Sequence, residues 1–192
     1  MYTILKFLLY LPIRLIYRVK FVKKVELPKK DKRLVIICNH LSNLDVVILG
    51  ILLPYKIKFV AKNELFKNVF LRKFFNCLGC ISVDRDNPSS DSLKQMIKVL
   101  KNDKQLGIFP EGKRNKTNEI LLPFKSGFEK FALKTNSKVL VMTIVEKPRI
   151  FRRTYVYASK IIECKQNEDN ITEIRNEMEK IIKENRKNNG KF

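Results

Sequence analysis

One histidine, His40, serves the whole chain of 192 residues, and tryptophan is absent. A lone imidazole leaves no set of histidines and carboxylates suited to a metal ion, so no metal is expected. Cysteine is scarce too: Cys38, Cys77, Cys80 and Cys164. Cys77 and Cys80 form a C-x-x-C, but zinc would need two more ligands, and Cys38, Cys164 and His40 lack matching spacing. The segment "NCLGCISV" runs into a strand-like stretch rather than opening a helix, against a thioredoxin-like motif. Four reduced structural thiols in a cytosolic setting are expected.

Acidic residues are few, 19 Asp and Glu against 40 Lys and Arg, a formal charge of +21. Such a surplus favours anionic partners: nucleic acid, lipid headgroups or an acidic protein. Aromatic residues are not interleaved with basic ones in a strand platform, and no nucleic-acid-binding module is recognisable, so nucleic acid is the weaker choice. Repeats and low-complexity segments are missing, and the 45% hydrophobic fraction suits one folded domain.

Long apolar runs are lacking as well. In the N-terminal "MYTILKFLLYLPIRLIYRVKFVKK" the longest uncharged run is Phe7 to Ile13, far below the ~20 residues that cross a bilayer. No small-residue cleavage site follows, which argues against a signal peptide. At helical period Ile4, Leu8, Leu11, Leu15, Val19 and Val22 share one face, with Arg14 and Arg18 at its margins. Pro12 is expected to start a second helical piece. Residues 1–24 thus read as amphipathic helices lying in a membrane surface, and residues 25–192 as the main domain. A helix packed on the protein's own core is the competing reading.

From Leu34 onward, strand-like and helix-like segments alternate. Strands are expected at 34–38, in "YKIKFVAK", "CISV", "QLGIF", "KVLVMTIV" and "TYVYASKI". Helices are expected from Leu44 to about Leu53, up to Gly79, after a cap at Ser90 or Asp91, in "GFEKFALKTN", and after an Asn170/Glu173 capping box. The alternation predicts a single α/β domain with a largely parallel sheet flanked by helices. In such sheets ligands bind beyond the carboxyl ends of the strands. Polar residues follow those ends: Asn39, His40 and Asp45 after the first, Lys62 after the second, Asp84 and Arg85 after the third, Glu111, Gly112, Lys113 and Arg114 after the fourth.

Histidine titrates near pH ~6.5, so its neutral form is available as a base. A carboxylate on one ring N–H fixes the tautomer and stabilises the imidazolium that forms. H-x-x-x-x-D alone is a weak signal, and by itself it reads first as a polar strand end. "FPEGKR" adds a carboxylate between a proline and a glycine, followed by cations able to grip phosphate.

Taken together, these residues resemble the glycerolipid acyltransferase family, most closely its bacterial 1-acylglycerol-3-phosphate acyltransferases. N-H-x-S-x-x-D stands as Asn39, His40, Ser42 and Asp45. A glycine, an apolar strand and a D-R pair run from Gly79 to Arg85, and F-P-E-G-x-R covers Phe109 to Arg114. "FVAKNEL" and "PFKSGFEKFA" are similar to family segments as well. Lys113 and Thr143 depart from the pattern, standing where a small residue or Thr and a proline are usual.

The resemblance implies that His40, oriented by Asp45, deprotonates the free hydroxyl of lysophosphatidic acid. That oxygen attacks an acyl thioester, acyl-ACP or acyl-CoA, giving phosphatidic acid without an acyl-enzyme and without a cofactor. It also implies that Arg85, Arg114 and Lys62 hold the phosphate, while Glu111 and Gly112 position the glycerol. The expected setting is the cytoplasmic face of the cell membrane, peripheral or monotopic. Another lysolipid or glycerol 3-phosphate as acceptor, a basic nucleic-acid-binding protein and a scaffold without catalysis are the alternatives.

Overall fold

The structure is a computed structural model, and it describes residues 2–29, 32–84 and 89–189. Helix α1 (Tyr2–Ile16) leads into strand β1 (Val19–Lys23). Then come β2 (Leu34–Cys38), α2 (Leu44–Leu52), β3 (Lys58–Lys62), a short 3-10 turn (Asn63–Phe66), α3 (Val69–Leu78) and β4 (Ile81–Val83). The chain continues through α4 (Ser90–Lys101), β5 (Gln105–Ile108), α5 (Gly127–Thr135), β6 (Lys138–Ile144), β7 (Thr154–Glu163) and α6 (Asn170–Asn189).

The seven strands form one sheet in the order β1-β7-β6-β2-β5-β3-β4. Strands β6, β2, β5, β3 and β4 run parallel, while β7 is antiparallel to β6 and carries β1 parallel to itself. Helices connect the parallel strands, as a crossover requires; β6 reaches β7 without one and therefore reverses direction.

Strand β2 is buried along its whole length, because both faces of the sheet are covered. Leu34, Ile36 and Cys38 pack with Ile48 and Leu49 of α2, and Ile13 and Tyr17 at the end of α1 lean on the same layer. Val35 and Ile37 face Met96 and Leu100 of α4, Phe128 and Ala132 of α5, and Ile174 and Met178 of α6. The α/β domain expected from the alternation is therefore present.

Three local expectations are corrected. Residues 2–16 form one helix straight through Pro12, and Val19–Lys23 form a strand rather than a second helical piece. Arg18, at φ +44°, ends the helical path, and the edge of β7 offers Val19 to Lys23 a ladder in which β-branched residues fit. Helix α4 is capped by Ser89, whose hydroxyl accepts from the Ser92 N–H. Helix α6 is capped by Asp169, which accepts from the Thr172 N–H at 3.0 Å. Glu173 instead pairs with Lys160, and Asn170 accepts from the Lys165 N–H, bracing the turn before α6.

Candidate functional site

His40 lies just past the carboxyl end of β2, the central strand, and is only 7% exposed. Its backbone carbonyl accepts the Asn115 N–H at 2.7 Å, and its backbone N–H donates to Glu111 Oε1 at 2.7 Å. Both ends of the residue's peptide frame are thus held by the loop that follows β5. Its ring stacks on Phe109 at 4.0 Å between centroids. Phe109 in turn stacks on Phe59, whose ring occupies space above Gly107 that a Cβ would enter at 2.5 Å.

Asp45 sits in the first turn of α2 and is fully buried. One oxygen, Oδ2, lies 2.9 Å from His40 Nδ1 and accepts the Leu41 and Ser42 N–H groups at 2.7 Å each. The turn between strand and helix therefore folds the carboxylate back onto the imidazole. Three donors on one oxygen leave the carboxylate little rotational freedom. With Nδ1 donating to Asp45, the neutral ring presents Nε2 as its acceptor, the tautomer a general base needs.

Glu111 is buried at 4% exposure and ties two segments together. Besides the His40 N–H, it accepts the Leu122 N–H through Oε2 at 2.9 Å. Burial pushes its carboxyl above the usual carboxylate range, against the pull of those two backbone N–H groups. Gly112 follows at φ +70° and lies against the aliphatic part of Lys125, which a Cβ would approach at 3.1 Å. The positive φ explains why glycine stands there.

His40, Asp45 and Glu111 thus form one hydrogen-bonded set, with Gly112 and Arg114 on the same loop. Lys62 ends β3, which lies beyond β5 from β2, and pairs with Glu64 at 2.6 Å. Arg85 lies outside the described residues. Asn39, which opens the N-H-x-S-x-x-D block but had no role assigned to it, clamps the end of β2 to β6: its side chain donates to the Ile144 carbonyl at 2.9 Å and accepts the Ile144 N–H at 2.8 Å. Asn115 was also unassigned by sequence; its carboxamide braces the turn through Thr117 and Glu119. "RNKTN" carries the signature of such an Asx turn. Nothing local signals Phe109 as a stacking partner.

Two clefts flank the loop that carries Glu111. One, of about 440 Å³, is lined by Val60, Met96, Ile108, Phe109, Gly112 and Phe131 and is mainly apolar. The other, of about 830 Å³, is bordered by Ser42, Arg114, Lys116, Lys147, Arg149 and Arg186. Cys38, beside the set, is no candidate for a covalent nucleophile: burial pushes its thiol well up, and Asp45 and Glu111 add to the effect. Among the described residues no three His, Cys, Asp or Glu side chains converge as a metal site.

A buried His–Asp pair at the carboxyl end of the central strand of an α/β sheet is an arrangement chemically able to take a proton from a hydroxyl brought to Nε2. The sequence model of the Acyltransferase family matches residues 18–147, and the chain belongs to that family. It is similar to the 1-acyl-sn-glycerol-3-phosphate acyltransferase of Bacillus subtilis, 41% identical over 110 residues, covering 57% of this chain and 53% of that one. The enzyme of the same description from Helicobacter pylori is 34% identical over 127 residues, covering 65% and 54%. The chain thus spans about half the length of these relatives. The crystal structure of the 1-acyl-sn-glycerophosphate acyltransferase of Thermotoga maritima shares the fold, with a TM-score of 0.72 at 20% identity, over 94% of this chain and 81% of that one.

Proposed function

We propose that the chain transfers a fatty acyl group from an acyl thioester to the free hydroxyl of 1-acylglycerol-3-phosphate, forming phosphatidic acid. The observation that carries this reading is the His40–Asp45 pair, held at 2.9 Å with Nδ1 committed to the carboxylate. His40 takes the hydroxyl proton on Nε2 as the oxygen bonds to the thioester carbonyl carbon. Collapse of the tetrahedral intermediate breaks the C–S bond, and the imidazolium returns its proton to the departing thiolate. The names of the relatives support this acceptor, and the raised Cys38 thiol supports direct transfer over a thiol-bound acyl intermediate.

Arg114, with Arg85 and Lys62, neutralises the acceptor's phosphate, guanidinium groups being matched to two phosphate oxygens. The apolar cleft beside Phe109 suits hydrocarbon chains. Glu111 and Gly112 shape the loop against which the glycerol lies. Acyl-ACP and acyl-CoA both fit as donors, each bringing negative charge to a basic protein. The exposed stripe of α1 attaches the enzyme to a phospholipid surface, on the cytoplasmic side where these donors reside. Among the described residues no helix is long and apolar enough to cross a membrane.

The test is transfer from a radiolabelled acyl thioester to lysophosphatidic acid in vesicles by wild type and His40→Ala. Wild type is expected to yield phosphatidic acid, and the variant to lose about 10²–10⁴ in rate. Equal rates would remove His40 from the chemistry; a product only with another lysolipid or glycerol 3-phosphate would change the acceptor and keep the mechanism.

A further inference from the structure

Large apolar side chains stand in water at two places that adjoin. On α1, Ile4, Phe7, Leu8, Leu11 and Leu15 are each at least 60% exposed. Their spacing places them on one stripe, while Ile13 and Tyr17 face the core. The second place is the turn between β6 and β7, where Ile150 is 60% and Phe151 74% exposed. The turn is built rather than loose: Pro148 is buried, the Arg152 N–H donates to the Arg149 carbonyl at 3.2 Å, and the Phe151 N–H donates to the Ile16 carbonyl at 2.7 Å. The last bond fastens the tip of the turn to the end of α1.

We propose that Ile150 and Phe151 enter the lipid surface beside α1 as a second, independent point of insertion. This inference rests on the membrane attachment proposed above and adds to it a contact that no helical pattern contains. Phe151 holds φ +59°, a conformation a bulky side chain adopts at a cost and that only the surroundings can hold in place. Here it projects an aromatic ring into solvent, the opposite of what folding alone would select. Apolar exposure of this kind, on two segments joined by a backbone hydrogen bond and flanked by charge, marks an interaction surface.

Charge identifies the occupant as anionic lipid. Lys147, Arg149, Arg152 and Arg153, all exposed, stand on either side of the two apolar residues in the chain, and Arg14 and Arg18, also exposed, flank the adjoining end of α1. Cations flanking apolar tips suit headgroup phosphates above acyl chains, the cations remaining at headgroup level while the tips go deeper. The placement also bears on function. The turn follows the carboxyl end of β6, which is in register beside β2, so the second anchor lies at the edge of the sheet where His40 sits. Arg149 borders the basic cleft as well. Two anchors, one along α1 and one at its end beside the site, would fix how the cleft meets a lipid acceptor that never leaves the bilayer.

The absence of tryptophan makes the test direct. Phe151→Trp and, as reference, Leu8→Trp are each made in the full chain and mixed with phosphatidylglycerol/phosphatidylcholine vesicles carrying brominated acyl chains. Quenching and a blue shift at both positions support the proposal. Quenching at position 8 alone overturns it and leaves attachment through α1 standing; quenching at neither overturns both. A blue shift at position 151 that follows protein concentration without vesicles assigns the turn to a second copy of the chain and overturns the lipid reading. Should Phe151→Trp fail to fold, Ile150→Trp reads the same turn with the same outcomes.

Discussion

Glu111 places a carboxyl group where water is excluded, and the structure gives it work that an amide side chain cannot fully copy. Its two oxygens accept from the backbones of His40 and Leu122. In Glu111→Gln the amide NH₂ must face one of those N–H donors, leaving a buried group unpaired at about 1–3 kcal/mol. A chain of this length should lose about 2–4 °C in Tm for each kcal/mol. The pH dependence separates this loss from simple mispacking. Burial raises the Glu111 carboxyl above its usual range, so the folded chain binds that proton more tightly than the unfolded one. The carboxyl's contribution to stability is therefore greatest below the ordinary carboxylate range and declines as pH rises through the raised value. Thermal melts should show the gap between wild type and Glu111→Gln narrowing as pH rises from about 4.5. A gap independent of pH would mean that Glu111 titrates alike in both states.

At the scale of elements, α6 reaches the site through a relay. Arg175 donates to the carbonyls of Leu122 at 2.8 Å and Leu121 at 3.1 Å. The Leu122 N–H then holds Glu111, and Glu111 holds the His40 N–H. Arg175→Met keeps most of the stem but removes both bonds, and should cost about 1–2 kcal/mol in a denaturant titration. The acyl-transfer rate should fall as well, with Arg175→Lys between the two. A full loss of stability with an unchanged rate would break the relay. Sequence could not reveal this contact, because Arg175 and Leu122 lie 53 residues apart and Arg175 reads as one more basic residue on an amphipathic helix. His40 and Asp45 were legible because a strand-to-helix turn joins them within six residues, and Glu111 because "FPEG" restricts its own backbone. The N-terminal segment misled for a physical reason: Val19 and Val22 fit a helical stripe, yet Val19 and Phe21 also stand either side of Lys20 as same-face residues of a strand do, and the edge of β7 decided between them.

The whole molecule carries +21, and charge on that scale acts at a distance that apolar contacts cannot. Much of it is exposed, including Arg14 and Arg18 of the α1 end and Lys147, Arg149, Arg152 and Arg153 of the β6–β7 turn. Each basic residue near an anionic surface contributes about 1 kcal/mol at physiological ionic strength, and the attraction fades over a Debye length of about 8 Å. In the attachment proposed above, the apolar stripe of α1 contributes in a way that salt hardly screens. Attachment should therefore have two separable parts. Raising salt from about 0.05 M to about 0.5 M shortens the Debye length by roughly threefold. Partition onto phosphatidylglycerol vesicles, measured by flotation, should then fall by more than tenfold but not vanish. Leu8→Asp with Leu11→Asp should remove most of the salt-resistant remainder, leaving the share carried by Ile150 and Phe151, while preserving the salt dependence of what still binds at low ionic strength. Binding that ignored salt would assign attachment to the apolar surface alone and leave the charge to other work, such as drawing in anionic acyl donors. Binding abolished outright by salt would make α1 a helix for the protein's own fold and not for the bilayer.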